Sequence, residues 1–218
     1  HTGIHSFPTR RSSDLIAEAF PAGGAPAPDP LPDSRHIFIM GLPRSGTTLT
    51  ERILGGLPGV ISNNETDNVS TALMRASPPA GGDVFARAAL ADPASVAREY
   101  EALALPEGSQ AKVIEKLPFN FLYLGAILRA FPEAPVIWLR RHPVDSCFAM
   151  FRTLFGAAYP FSYDFDELAR YFAAYQRLMD HWTAAFPGRI TFVDYEALVS
   201  DPAAAGVVIT GATIQHTG

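Results

Sequence analysis

The run His36-Ile37-Phe38-Ile39-Met40-Gly41-Leu42-Pro43-Arg44-Ser45-Gly46-Thr47-Thr48 constrains this chain more than any other stretch. Its first five residues have the apolar character of a short buried strand. The next eight have the spacing of a phosphate loop, G-x-x-x-x-G followed by two residues that are ordinarily Lys and Ser/Thr. Here those two are Thr47 and Thr48. Gly41 and Gly46 allow a sharp turn and a close approach of backbone to ligand. The amides of Ser45, Gly46, Thr47 and Thr48 would then face one concavity at the start of a helix, where orphan N–H groups and the helix dipole favour an anion. Nucleotide hydrolases use the missing lysine to reach the β- and γ-phosphates. In this loop the only cation is Arg44, so the loop suits a terminal anionic group handled without that lysine. A strand-to-helix turn with no ligand shares the G-x-x-x-x-G spacing, but the sequence Pro43 to Thr48 behind a buried strand argues against it.

Around the loop, strands alternate with helices. A helix is expected from Thr47 to about Leu57, ended by Pro58-Gly59, then a short strand at Val60-Ile61 and a polar run from Ser62 to Asn68. About Val69 to Leu105 is Ala-rich and helical, broken at Ser77-Pro78-Pro79 and at Pro93; it forms either a cap over a substrate or packing alone. Strands are expected at Lys112–Glu115, Pro135–Leu139 and Arg189–Val193. Helices are expected at Phe119–Phe131, from Pro143 to about Leu154, at Asp164–Phe186 and from Tyr195 to the Asp201-Pro202 stop. This order predicts a P-loop-like three-layer α/β/α fold with a central parallel sheet. Ligands of such sheets sit at the carboxyl ends of the strands, and every loop considered below follows a strand.

Residues 43–48 resemble the 5′-phosphosulfate loop of sulfotransferases that use 3′-phosphoadenosine 5′-phosphosulfate (PAPS). More narrowly, the chain from about His36 to about Ala204 resembles bacterial sulfotransferase domains found with tetratricopeptide repeats, and distantly the tyrosylprotein sulfotransferases. The resemblance implies that Arg44, Ser45, Gly46, Thr47 and Thr48 grip the phosphosulfate. It implies that Arg141, after the third predicted long strand, binds the 3′-phosphate, a task suited to its fork of donors. Arg140 reads as a surface charge. The family usually places a serine eight residues after that arginine; here the position is Ala149, with Ser146 nearby. Glu65 matches a glutamate that deprotonates the acceptor. Lys116 matches a catalytic lysine, whose task beside anionic groups is to stabilise the transferring sulfuryl group rather than to act as base. Tyr195 matches a tyrosine near the nucleotide. Nothing after Ala205 matches the basic, glycine-containing segment that closes over the 3′-phosphate, so the resemblance implies a domain truncated at its C-terminus.

The expected organisation is therefore a disordered or non-native leader and Pro/Ala-rich linker at 1–35, a sulfotransferase domain at 36–205, and a non-native or disordered tail at 206–218. His-Thr-Gly occurs at both ends, at residues 1–3 and 216–218. The expected activity is in-line transfer of a sulfuryl group from PAPS to a hydroxyl or amine acceptor of unknown class, with no metal. A repeat domain in the parent protein is implied by the resemblance alone. Two alternatives stand beside it: a P-loop kinase or triphosphatase, with Asp194 after the strand 190–193 as its magnesium ligand, and a degenerate relative that holds nucleotide without turning it over. A formal net charge of −5 argues against general nucleic-acid binding. The single cysteine, Cys147, cannot form an internal disulfide. With no apolar run of membrane-spanning length and no secretory signal, a cytoplasmic location is expected.

Overall fold

The computed structural model describes residues 10–23, 35–78, 83–156, 159–201 and 203. Five strands form one parallel sheet: β1 (His36–Gly41), β2 (Val60–Ser62), β3 (Lys112–Lys116), β4 (Val136–Arg140) and β5 (Ile190–Asp194). Their order across the sheet is β2-β3-β1-β4-β5, so β1 lies at the centre. Phe38 aligns with Glu115 on β3 and with Val136 on β4, and Arg140 aligns with Asp194 on β5.

The central strand shows why the fold has three layers. Every residue of β1 is buried, as expected of a parallel strand covered on both faces. Ile37 and Ile39 face one cluster with Leu54 of α2 (Thr47–Gly55) and Leu198 of α9 (Tyr195–Ser200). Phe38 and Met40 face a larger cluster on the other side. That side holds α3 (Asn68–Ala76), α4 (Val84–Leu90), α5 (Pro93–Ala104), α6 (Leu124–Ala130) and α8 (Phe165–Ala185). The segment between Val69 and Leu105 thus contributes to the core through Val69, Leu73, Phe85, Val96 and Tyr100. Asp83 caps α4 by accepting from the Phe85 amide, and Asp92 caps α5 by accepting from the Ser95 amide. Along α8, Leu168, Tyr175, Leu178 and Trp182 are buried at helical spacing, and the Trp182 indole donates to the Phe121 carbonyl at 2.8 Å.

Three sequence expectations change. Within the leader at 1–35, residues Arg10–Ala19 form a helix, α1, and the core includes Ile16 and, just beyond it, Phe20. The cause is tertiary: Phe20 packs edge-on to Trp182 at 5.5 Å and fills the space beside Gly125, where a Cβ would meet the Phe20 ring at 2.5 Å. Second, Phe119–Phe131 is not one helix. Pro118–Tyr123 is a 3-10 turn that leads into α6. Third, α7 (Pro143–Phe151) stops three residues before Leu154. Most of the expected linker (residues 24–34) and the expected tail at 206–218 lie outside the described residues. Among the described residues no helix is long and apolar enough to cross a membrane.

Candidate active site

The strand ends meet at one rim. After β1 the chain turns through Gly41, whose absent Cβ would stand 2.7 Å from the Leu139 carbonyl oxygen and 2.8 Å from Ser45 Oγ. Arg44 adopts a left-handed φ of 68°, rare for a residue with a Cβ, and its side chain points outward to line a cavity of about 380 Å³. Gly46, at φ 103°, is the N-cap of α2, and Thr47 and Thr48 open the helix. The first amides of a helix lack intrahelical acceptors, so this end offers donors to an anion. One correction applies to the loop: the Ser45 amide donates to the Leu42 carbonyl at 3.1 Å and so closes the turn instead of facing the cavity. The Ser45 hydroxyl is buried without a hydrogen-bond partner.

The same cavity is lined by Glu65, Arg141 and Tyr195. Arg141 donates through Nη1 to the Arg44 carbonyl at 2.9 Å, and its guanidinium lies 4.5 Å from the centre of the Tyr195 ring. Its Nε is buried and unpartnered. Arg44, Arg141 and Tyr195 therefore form one assembly at the ends of β1, β4 and β5, with donors left over. Ser146 donates its hydroxyl to the Arg141 carbonyl at 3.3 Å, which ties the first turn of α7 to the strand end. Ala149 lines none of the cavities described here.

Glu65 and Lys116 also meet. Lys116 Nζ stands 2.6 Å from Glu65 Oε1 and 3.3 Å from Glu51 Oε2. The lysine and Glu51 side chains are almost wholly buried, whereas Glu65 is 52 % exposed. Of the two, only Glu65 reaches the cavity wall; Lys116 sits behind it. Glu51, on α2, also accepts a hydrogen bond from the Ser62 hydroxyl. Beside Glu65 the wall is apolar and aromatic, formed by Leu49, Pro118, Phe155 and Tyr159. Burial and then the Glu65 charge raise the Tyr159 phenol above its ordinary range.

A larger cavity of about 480 Å³ lies on the other side of Arg141, between the strand ends and α8. It contains neither Glu65 nor the start of α2. At its edge Arg140 makes a forked pair with Asp194, at 2.8 and 3.0 Å, and lies over Phe192.

The sequence pattern of the sulfotransferase family matches residues 36–206. The chain belongs to the sulfotransferase family. An uncharacterized protein of Aquifex aeolicus is 32% identical over 187 residues, which cover 78% of this chain and 24% of that protein. The chain thus spans about a quarter of the length of that relative. In fold, the chain is similar to a sulfotransferase from Alicyclobacillus acidocaldarius, with a TM-score of 0.51 and 18% identity over 81% of this chain and 79% of the other. It is similar to a Mycobacterium tuberculosis sulfotransferase with a TM-score of 0.51 and 16% identity, covering 94% and 73% of the two chains.

Two carboxylates of this chain carry no marker in the sequence. In sequence Glu51 reads as one polar residue of the helix that follows the loop. Glu115 precedes Lys116 in a strand and is fully buried; in sequence it reads as one more residue of the run Lys-Val-Ile-Glu-Lys. Burial raises its pKa from 4.5 to about 7, against the opposing hydrogen bonds of Thr66, Tyr100, Asn68 and Asn63.

Proposed function

We propose that this sulfotransferase moves a sulfuryl group from PAPS to a hydroxyl or amine acceptor by in-line displacement. The observation that carries the reading is the single 380 Å³ cavity shared by Arg44, the first turn of α2, Arg141, Tyr195 and Glu65. The residues fit the donor nucleotide: unspent helix-end donors, an unpartnered Arg141 Nε and two arginine side chains suit two anionic groups. The nucleotide supplies the sulfuryl group. Arg44 and the amides of Gly46, Thr47 and Thr48 hold the phosphosulfate end and stabilise the charge that develops on the leaving phosphate. Arg141 and Tyr195 hold the nucleoside end. Glu65 accepts the proton of the acceptor hydroxyl at the cavity wall. Lys116, kept in place by Glu51, supplies positive charge behind Glu65 and toward the transferring group. The aromatic wall at Phe155 and Tyr159 makes a phenol the first acceptor to test.

The deciding experiment is calorimetric titration with 3′-phosphoadenosine 5′-phosphate, beside ATP with and without magnesium. Magnesium-independent binding of the bisphosphate, lost in Arg44→Ala, is the expected result. Magnesium-dependent ATP binding in its place would overturn the reading. The Arg140 pair already engages Asp194, the carboxylate that a triphosphatase would commit to magnesium. A purely holding role is separated by Glu65→Gln: transfer to 2-naphthol falls while bisphosphate affinity stays.

A further inference from the structure

Glu115 and Lys116 are consecutive on β3, so their side chains leave opposite faces of the sheet. Lys116 meets Glu65 and Glu51. Glu115 meets the neighbours of Glu65: the Thr66 hydroxyl donates to its Oε1 at 3.0 Å, and the Asn68 amide donates to its Oε2 at 3.4 Å. The Tyr100 hydroxyl of α5 donates to the same Oε2 at 3.2 Å. The rest of the loop is tied to the same strand and to α5. The Asn63 amide donates to the Ile114 carbonyl, its side chain donates to the Ala104 carbonyl, and Asn64 takes a left-handed φ of 58°. A fully buried carboxylate whose partners are neutral hydroxyls and amides is costly to keep. Of these donors, Thr66 and Asn68 belong to the segment that bears Glu65.

We propose that Glu115 is a positioning residue: it fixes the 63–68 loop so that Glu65 stands at the cavity wall against Lys116. The proposal rests on the reading of Glu65 as the base, but its physical core, the anchoring of the loop, does not. As a carboxylate, Glu115 accepts charge-assisted bonds from Thr66 and Asn68; as a neutral acid it holds both more weakly. The titratable groups around it are few. From α5 come Tyr100, which burial keeps protonated, and Glu101; from β1 comes His36, which is bonded to Glu101, edge-on to Tyr100 at 5.3 Å, and held below its ordinary value by burial. The loop itself carries Glu65 and Asp67, and β3 carries Lys116 on its other face.

The test is amide hydrogen exchange of residues 63–68 in the full chain, with β4 as internal reference. Wild type, Glu115→Gln and Thr66→Val are compared at about pH 8.5 and about pH 5.5, either side of the Glu115 titration, after correction for intrinsic rates. At the higher pH both variants should exchange roughly tenfold faster than wild type in the loop and equally in β4, the scale of one charge-assisted hydrogen bond. At the lower pH the difference should vanish for Glu115→Gln, because wild type has then lost the same charge, and should shrink for Thr66→Val, because the bond that variant lacks is then a weaker, neutral one. Unchanged loop exchange in both variants, or equal acceleration in β4, overturns the anchor. If Glu115→Gln does not fold, Thr66→Val decides alone, since its side chain sits in the loop. In parallel, kcat for sulfation of 2-naphthol should fall in both variants with bisphosphate affinity unchanged. Loosened loop exchange with unaltered kcat would overturn the link to Glu65 while leaving the anchor standing. Absence of turnover in wild type would count against the proposed activity and not against the anchor.

Discussion

At Gly46 the backbone holds φ 103°, and an added Cβ would lie 2.7 Å from Tyr195 Cδ2. One hydrogen atom at this position therefore lets the loop adopt a left-handed cap and lets the Tyr195 ring close over it. Gly46→Ala meets both obstacles at once. It is expected to cost roughly 1–3 kcal/mol of stability in denaturant titration. It should also weaken 3′-phosphoadenosine 5′-phosphate binding by more than about tenfold, because the ring must move away from the loop proposed to hold the anion. Both glycines of the motif could be singled out from spacing. The left-handed Arg44 could not, since nothing in the one-dimensional pattern distinguishes it from an arginine in extended backbone.

Lys116 joins three elements: β3, through its own backbone; α2, through Glu51; and the β2–α3 loop, through Glu65. The two carboxylates differ in burial, 8% exposed for Glu51 against 52% for Glu65. Lys116→Met leaves Glu51 as an uncompensated buried charge and is expected to cost about 3–5 kcal/mol. Glu65→Gln removes an exposed partner and should cost less than about 1 kcal/mol. Urea unfolding of the two variants checks the ordering; equal losses would remove the special role of the α2 contact. At this scale the sequence was informative wherever periodicity carried the signal, as in β1, β4 and α8. It was silent where position in space decides. Leu15, Ile16, Ala19 and Phe20 have helical spacing, yet α1 went unread because its flanks are polar and Pro/Gly-rich. The Pro118–Tyr123 turn looked helical because its residues are apolar throughout. Glu51 and Glu115 acquire meaning only from the side chains brought against them by the sheet.

Across the whole molecule, Glu115 links stability to pH. Its folded-state pKa of about 7 stands above the 4.5 of the unfolded chain, so the folded protein binds the proton more tightly. The corresponding stabilisation is complete below about pH 4.5, declines as pH rises, and is gone above about pH 7, an effect of about 3 kcal/mol in total. Denaturant midpoints of the wild type should fall over that window, and Glu115→Gln should flatten the fall. The loop is expected to behave in the opposite sense, tightening as the carboxylate ionises. Global fold and active-site order thus respond to the same proton in opposite directions, a combination that a purely structural buried acid would not produce.

Lys112 and Lys116 are the only lysines of the chain. Lys112 begins β3 with its side chain partly accessible; Lys116 ends it, sealed between two carboxylates. Of the two lysines, an amine-acylating reagent is therefore expected to reach Lys112 first, and Lys116 only when the 63–68 segment lifts from the strand. The sheet carries its own built-in chemical reporter, in which the yield of label on Lys116, read against that on Lys112, counts how often the segment lifts.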